Sequence, residues 1–221
     1  MAELVTVGID VGGTNTDAVA VTATGEVRAR TKVPTTPDPA DGIAAALAAV
    51  TGGGRIARIA LGTTHATNAV VQRRGLRRVA VLRLGAPGTL AVPPLAGWPC
   101  DLLDAVAGPI LVARGGVEVD GRRVPLDPEE IRRFGASLAD AAQAIAVTGT
   151  FSPLDDAQER EAAALLETVT SLPITRGHEI GGLGLLEREN AAVINAALGD
   201  VMAGVIDGLG AAAARSSRVG D

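Results

Sequence analysis

The segment Gly8-Ile9-Asp10-Val11-Gly12-Gly13-Thr14-Asn15-Thr16-Asp17 constrains the fold of this chain most, because a β-like run flanks it on each side. Before it, Val5, Val7 and Ile9 share one face of a strand over 4–10; after it, 16–22 reads as a second strand. A glycine-rich segment with a strand on both sides is the tip of a hairpin. A P-loop needs Gly-Lys-Ser/Thr opening a helix, and a dinucleotide-binding loop needs its own glycine spacing and a following helix. Neither is present. The turn at 23–26 leads to a third alternating run over 27–33, so the chain is expected to begin with three consecutive antiparallel strands.

The tip carries phosphate-binding ingredients. Gly12 and Gly13 permit positive φ and close backbone approach, so exposed N–H groups can form an anion-binding concavity. Thr14, Asn15 or Thr16 can donate to phosphate oxygens, and Asp10 at the strand end can hold Mg²⁺ directly or through water. The plainer alternative is an ordinary hairpin with glycines at its tip. A second segment, Leu61-Gly62-Thr63-Thr64-His65-Ala66-Thr67-Asn68-Ala69-Val70, falls at a strand-to-helix junction. Free N–H groups and the helix dipole favour an anion there, although N-capping by Thr63 or Thr64 accounts for the same residues.

Elsewhere the pattern alternates strands and helices. Asp38 is expected to cap a helix with Pro39 at its first position, running to Val50 and stopped by Gly52-Gly53-Gly54. Strands are expected over 55–61 and 77–84, with a helix over 63–74 between them. Residues 85–108, with four prolines, show no clear local structure. A hairpin of 110–117 with 119–124 follows, then a helix from Asp127 to about Ala142 and a buried strand over 144–147. Asp155 with Gln158 reads as a capping box, 172–175 as a last strand, and Leu185 onward as one long helix reaching at least Asp207.

Composition narrows the function. Hydrophobic residues make up 47% of the 221, with two Phe, one Trp and no Tyr, so base stacking has almost no material. The net charge of −5 also argues against a nucleic-acid partner. One cysteine and two histidines leave no basis for a disulfide framework or a zinc cluster. With no signal-peptide pattern at Met1 and no apolar run of about 18 residues, a cytoplasmic protein without a membrane partner is expected. Among the other polar residues, His178 and Glu179 are an acid/base pair, metal ligands or structural loop residues. Asp101 and Asp104 are a carboxylate pair or, more simply, exposed caps, and Cys100 reads as an inert thiol. Ser152 beside Asp155 and Asp156 reads as a helix entry, since no nucleophile elbow surrounds it. Asn195 is a site residue or an interhelix hydrogen-bond group.

Taken together, Gly-Ile-Asp-Val-Gly-Gly-Thr-Asn-Thr-Asp at 8–17 and Gly-Thr-Thr-His-Ala-Thr-Asn-Ala at 62–69 resemble the hydantoinase A/oxoprolinase N-terminal region, within the actin/Hsp70/sugar-kinase superfamily. Glu187-Arg188 and Asn195-Ala196 add to the resemblance; residues 189–192 depart from it by lacking hydroxyl side chains, and His65 stands at a variable position. The resemblance implies an α/β fold: a ribonuclease H-like (actin-like ATPase) lobe with a mixed sheet, three antiparallel strands first and helices on both faces. It places that domain at 1–182, with 183–221 a helix leading into a second half expected to lie outside the chain. It implies ATP and Mg²⁺ as cofactors and phosphorylation of a cyclic amide carbonyl for ring-opening hydrolysis. A ketone carboxylase subunit, a small-molecule kinase and a non-catalytic partner subunit are the alternatives. By the same resemblance Asp10 and Thr14 are catalytic, with Asp10 on the metal, and Gly12, Gly13, Thr14, Asn15, Thr16, Gly62, Thr63 and Thr64 hold the nucleotide. His65, Asn68, His178 and Glu179 are the candidate substrate contacts. A second, hydantoinase B-like subunit and a homo-oligomer are the expected partners.

Overall fold

The computed structural model describes residues 4–34, 36, 39–52 and 55–217. The expected cap at Asp38 and the stops at Gly53 and Gly54 lie outside them. The chain divides into two compact units, one of residues up to Gln72 together with those from Asp200 on, the other Arg73–Gly199.

The first unit is built on the expected antiparallel start. Strands β1 (Leu4–Val11), β2 (Asn15–Thr22) and β3 (Val27–Pro34) pair in sequence, and β4 (Arg55–Thr63) adds parallel to β1, giving the order β3-β2-β1-β4. Alternation decides the faces. Val5, Val7, Ile9 and Val11 with Ala18 and Ala20 point to one side and are buried against Ile43, Ala46, Leu47 and Val50 of α1 (Pro39–Thr51). Leu209 of α7 (Gly199–Ser217) packs on the same core. Asp10 and Asp17, register partners across β1 and β2, belong to the opposite side. Helix α2 (His65–Gln72) follows β4 after one residue.

The second unit is a parallel sheet of order β6-β5-β7-β8, from β5 (Val79–Ala86), β6 (Ala107–Arg114), β7 (Ala144–Gly149) and β8 (Ile174–Arg176). β7 is buried along its whole length, the mark of a strand covered on both faces. Val79, Val81, Ala144 and Ala146 pack on α3 (Cys100–Val106) and α6 (Leu185–Ala197). Ala80, Leu82, Ile145 and Val147 pack on α4 (Pro128–Ala136) and α5 (Ala157–Glu167).

Three expectations are corrected here. Residues 110–114 end β6, parallel to β5, and the expected hairpin shrinks to a single bridge between Val117 and Arg123. Gly115 and Gly116, both at positive φ, end the strand, and a Cβ on Gly116 would lie 2.0 Å from Thr150 Oγ1. The capping box does not form: Gln158 turns inward, its Oε1 accepting from Gly116 N at 2.7 Å and its Nε2 donating to Val124 O at 2.6 Å. The long C-terminal helix is interrupted at Leu198, where Arg77 N donates to Ala197 O and the Arg77 guanidinium lies against Gly199. Within 85–108, the chain makes turns up to Pro99 and then forms α3. Among the described residues no single helix is long and apolar enough to cross a membrane.

A buried ion pair ties the second unit together. Arg83 on β5 and Glu189 on α6, both with fully buried side chains, form a two-pronged bond of 2.7 and 2.6 Å. Arg83 Nη1 also donates to Val92 O at 2.6 Å, and Thr148 Oγ1 of β7 donates to Glu189 Oε2 at 3.3 Å. The pair thus links two strands, a helix and the irregular segment. Removing one partner strands the other charge in the interior. Arg83→Met is expected to lower stability by about 3–5 kcal/mol, whereas adding Glu189→Leu to it restores most of that loss. Denaturant melts of the two variants against the parent test this; equal losses in both would contradict it.

Candidate functional site

In the first unit β1 runs to Val11, Gly12-Gly13-Thr14 makes the tip, and β2 starts at Asn15. Gly12 N donates to Asn15 O at 3.0 Å and closes the turn. Gly13 and Thr14 are exposed, and Asn15 is half-buried. Asp10 is the last outward position before the tip. Its neighbours in register are Asp17 on β2 and Gly62 on β4.

The β4–α2 junction folds against the end of β1. Val11 O accepts from both Thr64 N and Thr63 Oγ1, each at 3.4 Å. Thr63 Oγ1 accepts in turn from His65 N at 3.1 Å and lies 2.8 Å from His65 Nδ1. One turn into α2, Asn68 N donates to Thr64 O at 2.8 Å, and Asn68 Nδ2 donates to Thr64 Oγ1 at 3.4 Å. That amide reaches the hairpin tip, since a Cβ on Gly13 would lie 3.6 Å from Asn68 Nδ2. The two glycine-containing segments, far apart in sequence, therefore meet at one end of one sheet.

The electrostatics of this end are set by Asp10. Asp17 is paired with Lys32 at 3.3 Å; among the described residues Asp10 is exposed, and its carboxylate has no hydrogen bond or ion pair. Gly62 leaves the space beside it open, because a Cβ there would lie 3.5 Å from Asp10 Oδ1. A groove of about 880 Å³ runs from Asp10 and Gly62 past Asp17 to Arg30 and Lys32. An uncompensated carboxylate beside exposed backbone N–H groups can hold a cation and an anion side by side.

One expected contact changes role. Thr16 is fully buried, and a Cβ on Gly42 of α1 would lie 3.3 Å from its Oγ1. Alternation along β2 puts Thr16 on the core face with Ala18 and Ala20, so Thr14 and Asn15 are the side chains left to face a ligand.

His178 and Glu179 belong to the second unit, in a short 3-10 turn over Gly177–Glu179. The His178 ring lies 2.6 Å from Glu159 Oε2, and its backbone N donates to the same oxygen at 2.9 Å. Glu179 pairs with Arg176 at 2.6 Å. Beside them Arg188, 1% exposed, donates to Gly149 O and to Gly182 O at 2.6 Å. Burial holds its guanidinium below its ordinary pKa, opposed by the Glu159 and Glu189 carboxylates. Asp155 and Asp156 are held below the usual carboxylate range by hydrogen bonds from Arg123 and Arg160 respectively. Asp101 pairs with Arg73 at 3.1 Å, Cys100 is exposed, and Asn195 Nδ2 lies 3.5 Å from Thr175 Oγ1. Among the described residues no group of three or more His, Cys, Asp or Glu side chains is arranged to hold a metal.

Glu159 was not singled out from sequence, yet the signal was there. It lies at i, with Ala162, Ala163 and Leu166 at i+3, i+4 and i+7, which places a lone carboxylate on the apolar face of α5. Glu189 stands in the same relation to Ala192, Val193 and Ala196 on α6.

Residues 6–170 match the family described as the hydantoinase/oxoprolinase N-terminal region. No curated protein matches the chain in sequence. Among solved structures, a nucleotide-free acetone carboxylase, described under the mechanism of ATP-dependent acetone carboxylation, superposes with a TM-score of 0.74 at 18% identity over 98% of this chain. The chain spans 35% of that protein's length. A ROK family glucokinase from Streptomyces griseus, in complex with glucose and AMPPNP, reaches a TM-score of only 0.25 at 13% identity, covering 87% of this chain and 98% of its own.

If Thr63 is the clasp between the two segments, Thr63→Val removes it at nearly constant volume. The loss is expected to be about 1 kcal/mol, with amide hydrogen exchange faster at His65 than at the helix interior. Unchanged exchange at His65 would show that the clasp does not hold the junction.

Proposed function

The chain belongs to the hydantoinase/oxoprolinase N-terminal family, and from that premise we propose that its first unit is the phosphate-handling lobe of an ATP-dependent, carbonyl-activating enzyme. One observation carries the reading: a partnerless, exposed Asp10 stands beside the open space at Gly62 and the exposed backbone of Gly13 and Thr14. The donor chemistry suits the group the family implies, since Gly62 puts no side chain beside the carboxylate and a hard cation such as Mg²⁺ takes oxygen ligands. Asp10 would hold Mg²⁺, and the N–H groups of the tip with Thr14 and Asn15 would hold phosphate oxygens. Gly62, Thr63 and Thr64 line the second wall, while Asn68 braces it. When bound, Mg·ATP supplies a transferable phosphoryl group that turns an inert carbonyl oxygen into a leaving group. The protein's part is to fix the geometry and offset developing charge with preorganised donors.

The order β3-β2-β1-β4, with its antiparallel start, supports an actin-like lobe of this kind. The substrate proposed first is a cyclic amide such as a hydantoin or 5-oxoproline. A ketone is the second reading, favoured by the backbone likeness to acetone carboxylase. Because the chain is about a third as long as that relative, full activity is proposed for the natural protein at its full length, together with a second subunit. The 221 residues alone are expected to bind Mg·ATP weakly and turn it over negligibly.

The decisive assay is phosphate release by the full-length protein with Mg·ATP and hydantoin, 5-oxoproline or acetone, wild type beside Asp10→Ala. One substrate is expected to stimulate release, with a loss of about 10²-fold or more in the variant. A stable phosphorylated product would make it a kinase; no stimulation by any substrate would overturn the proposal. Gly62→Val should weaken nucleotide binding while shifting fold stability by no more than about 0.5 kcal/mol, since an exposed strand position accepts a β-branched residue. Unaltered Mg·ATP affinity in that variant would remove Gly62 from the site.

A further inference from the structure

The second unit contains a cavity of about 360 Å³ at the C-terminal end of β7, lined by Ser152, Pro153, Leu154, Asp155, Asp156 and His178. In parallel sheets, the carboxyl ends of the strands are where ligands bind. Two buried polar atoms of this lining, Ser152 Oγ and His178 Nε2, have no hydrogen-bond partner. Ser152 is 3% exposed and the His178 side chain 7%. Unpaired buried polar atoms are rare, and each costs roughly 1–3 kcal/mol. Two at one cavity call for a cause.

The imidazole is oriented from behind. Glu159, itself fully buried, accepts from Gly149 N at 2.7 Å and from His178 N at 2.9 Å, and lies 2.6 Å from His178 Nδ1. A carboxylate only accepts, so Nδ1 carries the hydrogen, and Nε2 is the ring nitrogen left without a hydrogen-bond partner. At the rim Nε2 faces Asp156 Oδ2 at 3.4 Å and Glu179 Oε1 at 3.9 Å. Neither makes a hydrogen bond to it. Arg160 and Arg176 tie these two carboxylates from the surface, and exposed pairs of this kind are weak enough to swing aside.

We propose that Ser152 and His178 form a small-molecule site of their own, recognising a neutral ligand that presents a carbonyl beside an N–H, as an amide or ureide does. The ligand's N–H donates to His178 Nε2, and its carbonyl accepts from Ser152 Oγ. The carboxylates of Asp155 and Asp156 at the rim disfavour an anion. The cavity has the volume of about a dozen waters, ample for a five-membered ring. The site uses only second-unit residues and no nucleotide, so it stands apart from the Asp10 loop.

The test is a long-range ¹H–¹⁵N spectrum of the two histidine rings, titrated with hydantoin and separately with acetone in the absence of nucleotide. His178 is expected to show a bare Nε2, to shift saturably with hydantoin and to ignore acetone. Ser152→Ala should weaken hydantoin binding about tenfold while leaving the unfolding midpoint unchanged or raised, because the hydroxyl it removes has no partner in the fold. The proposal is overturned by a ring protonated on both nitrogens, by an unmoved His178 at high hydantoin, by an equal response to acetone, or by Ser152→Ala lowering stability without changing binding.

Discussion

The candidate phosphate site depends on the register of β1. This strand is hydrogen-bonded on both sides, antiparallel to β2 and parallel to β4, and four of its side chains fill the core of the first unit. With Val5, Val7, Ile9 and Val11 committed inward, the pleat sends Asp10 outward just before the glycine tip. The same register sets Asp17 on one side of it and Gly62 on the other. A slip of one residue would bury the carboxylate and expose the valines, so the apolar pattern and the site enforce each other.

The second unit meets a different constraint, the placement of charge in an apolar interior. Arg83, Glu159, Arg188 and Glu189 are all at most 1% exposed. Each is held by charge-assisted bonds to another ionised group or to backbone, as burial requires. Arg83 and Glu189 satisfy one another, while Arg188 is spent on carbonyls of Gly149 and the 182–184 turn. Glu159 holds His178 and the end of β7 together. These bonds join the strand ends to the turns that follow them, which gives the cavity by Ser152 a rigid wall.

Much of the first unit was legible in the sequence, because its strands alternate cleanly and its turns carry glycine. The meeting of the two loops was also foreseeable once both were placed at strand ends, although Thr16 shows how alternation overrides residue type. The second unit was harder to read. Its central strands are buried on both faces and lack alternation, so the edge segment 110–114 passed for half of a hairpin. Gln158 looked like a capping residue because helix-start patterns register spacing and not the direction in which a side chain turns. Glu159 and Glu189 were readable only by asking why a carboxylate shares a helical stripe with alanine and leucine.

The central claim is that the β1–β2 tip binds phosphate with Asp10 as its cation partner. Backbone amide resonances of Gly13 and Thr14, followed while Mg·ATP is added to the protein and to its Asp10→Asn variant, test it most directly. The account predicts saturable shifts concentrated at these two amides and lost in the variant. Shifts elsewhere with the tip unmoved, or tip shifts that persist without the carboxylate, would contradict it.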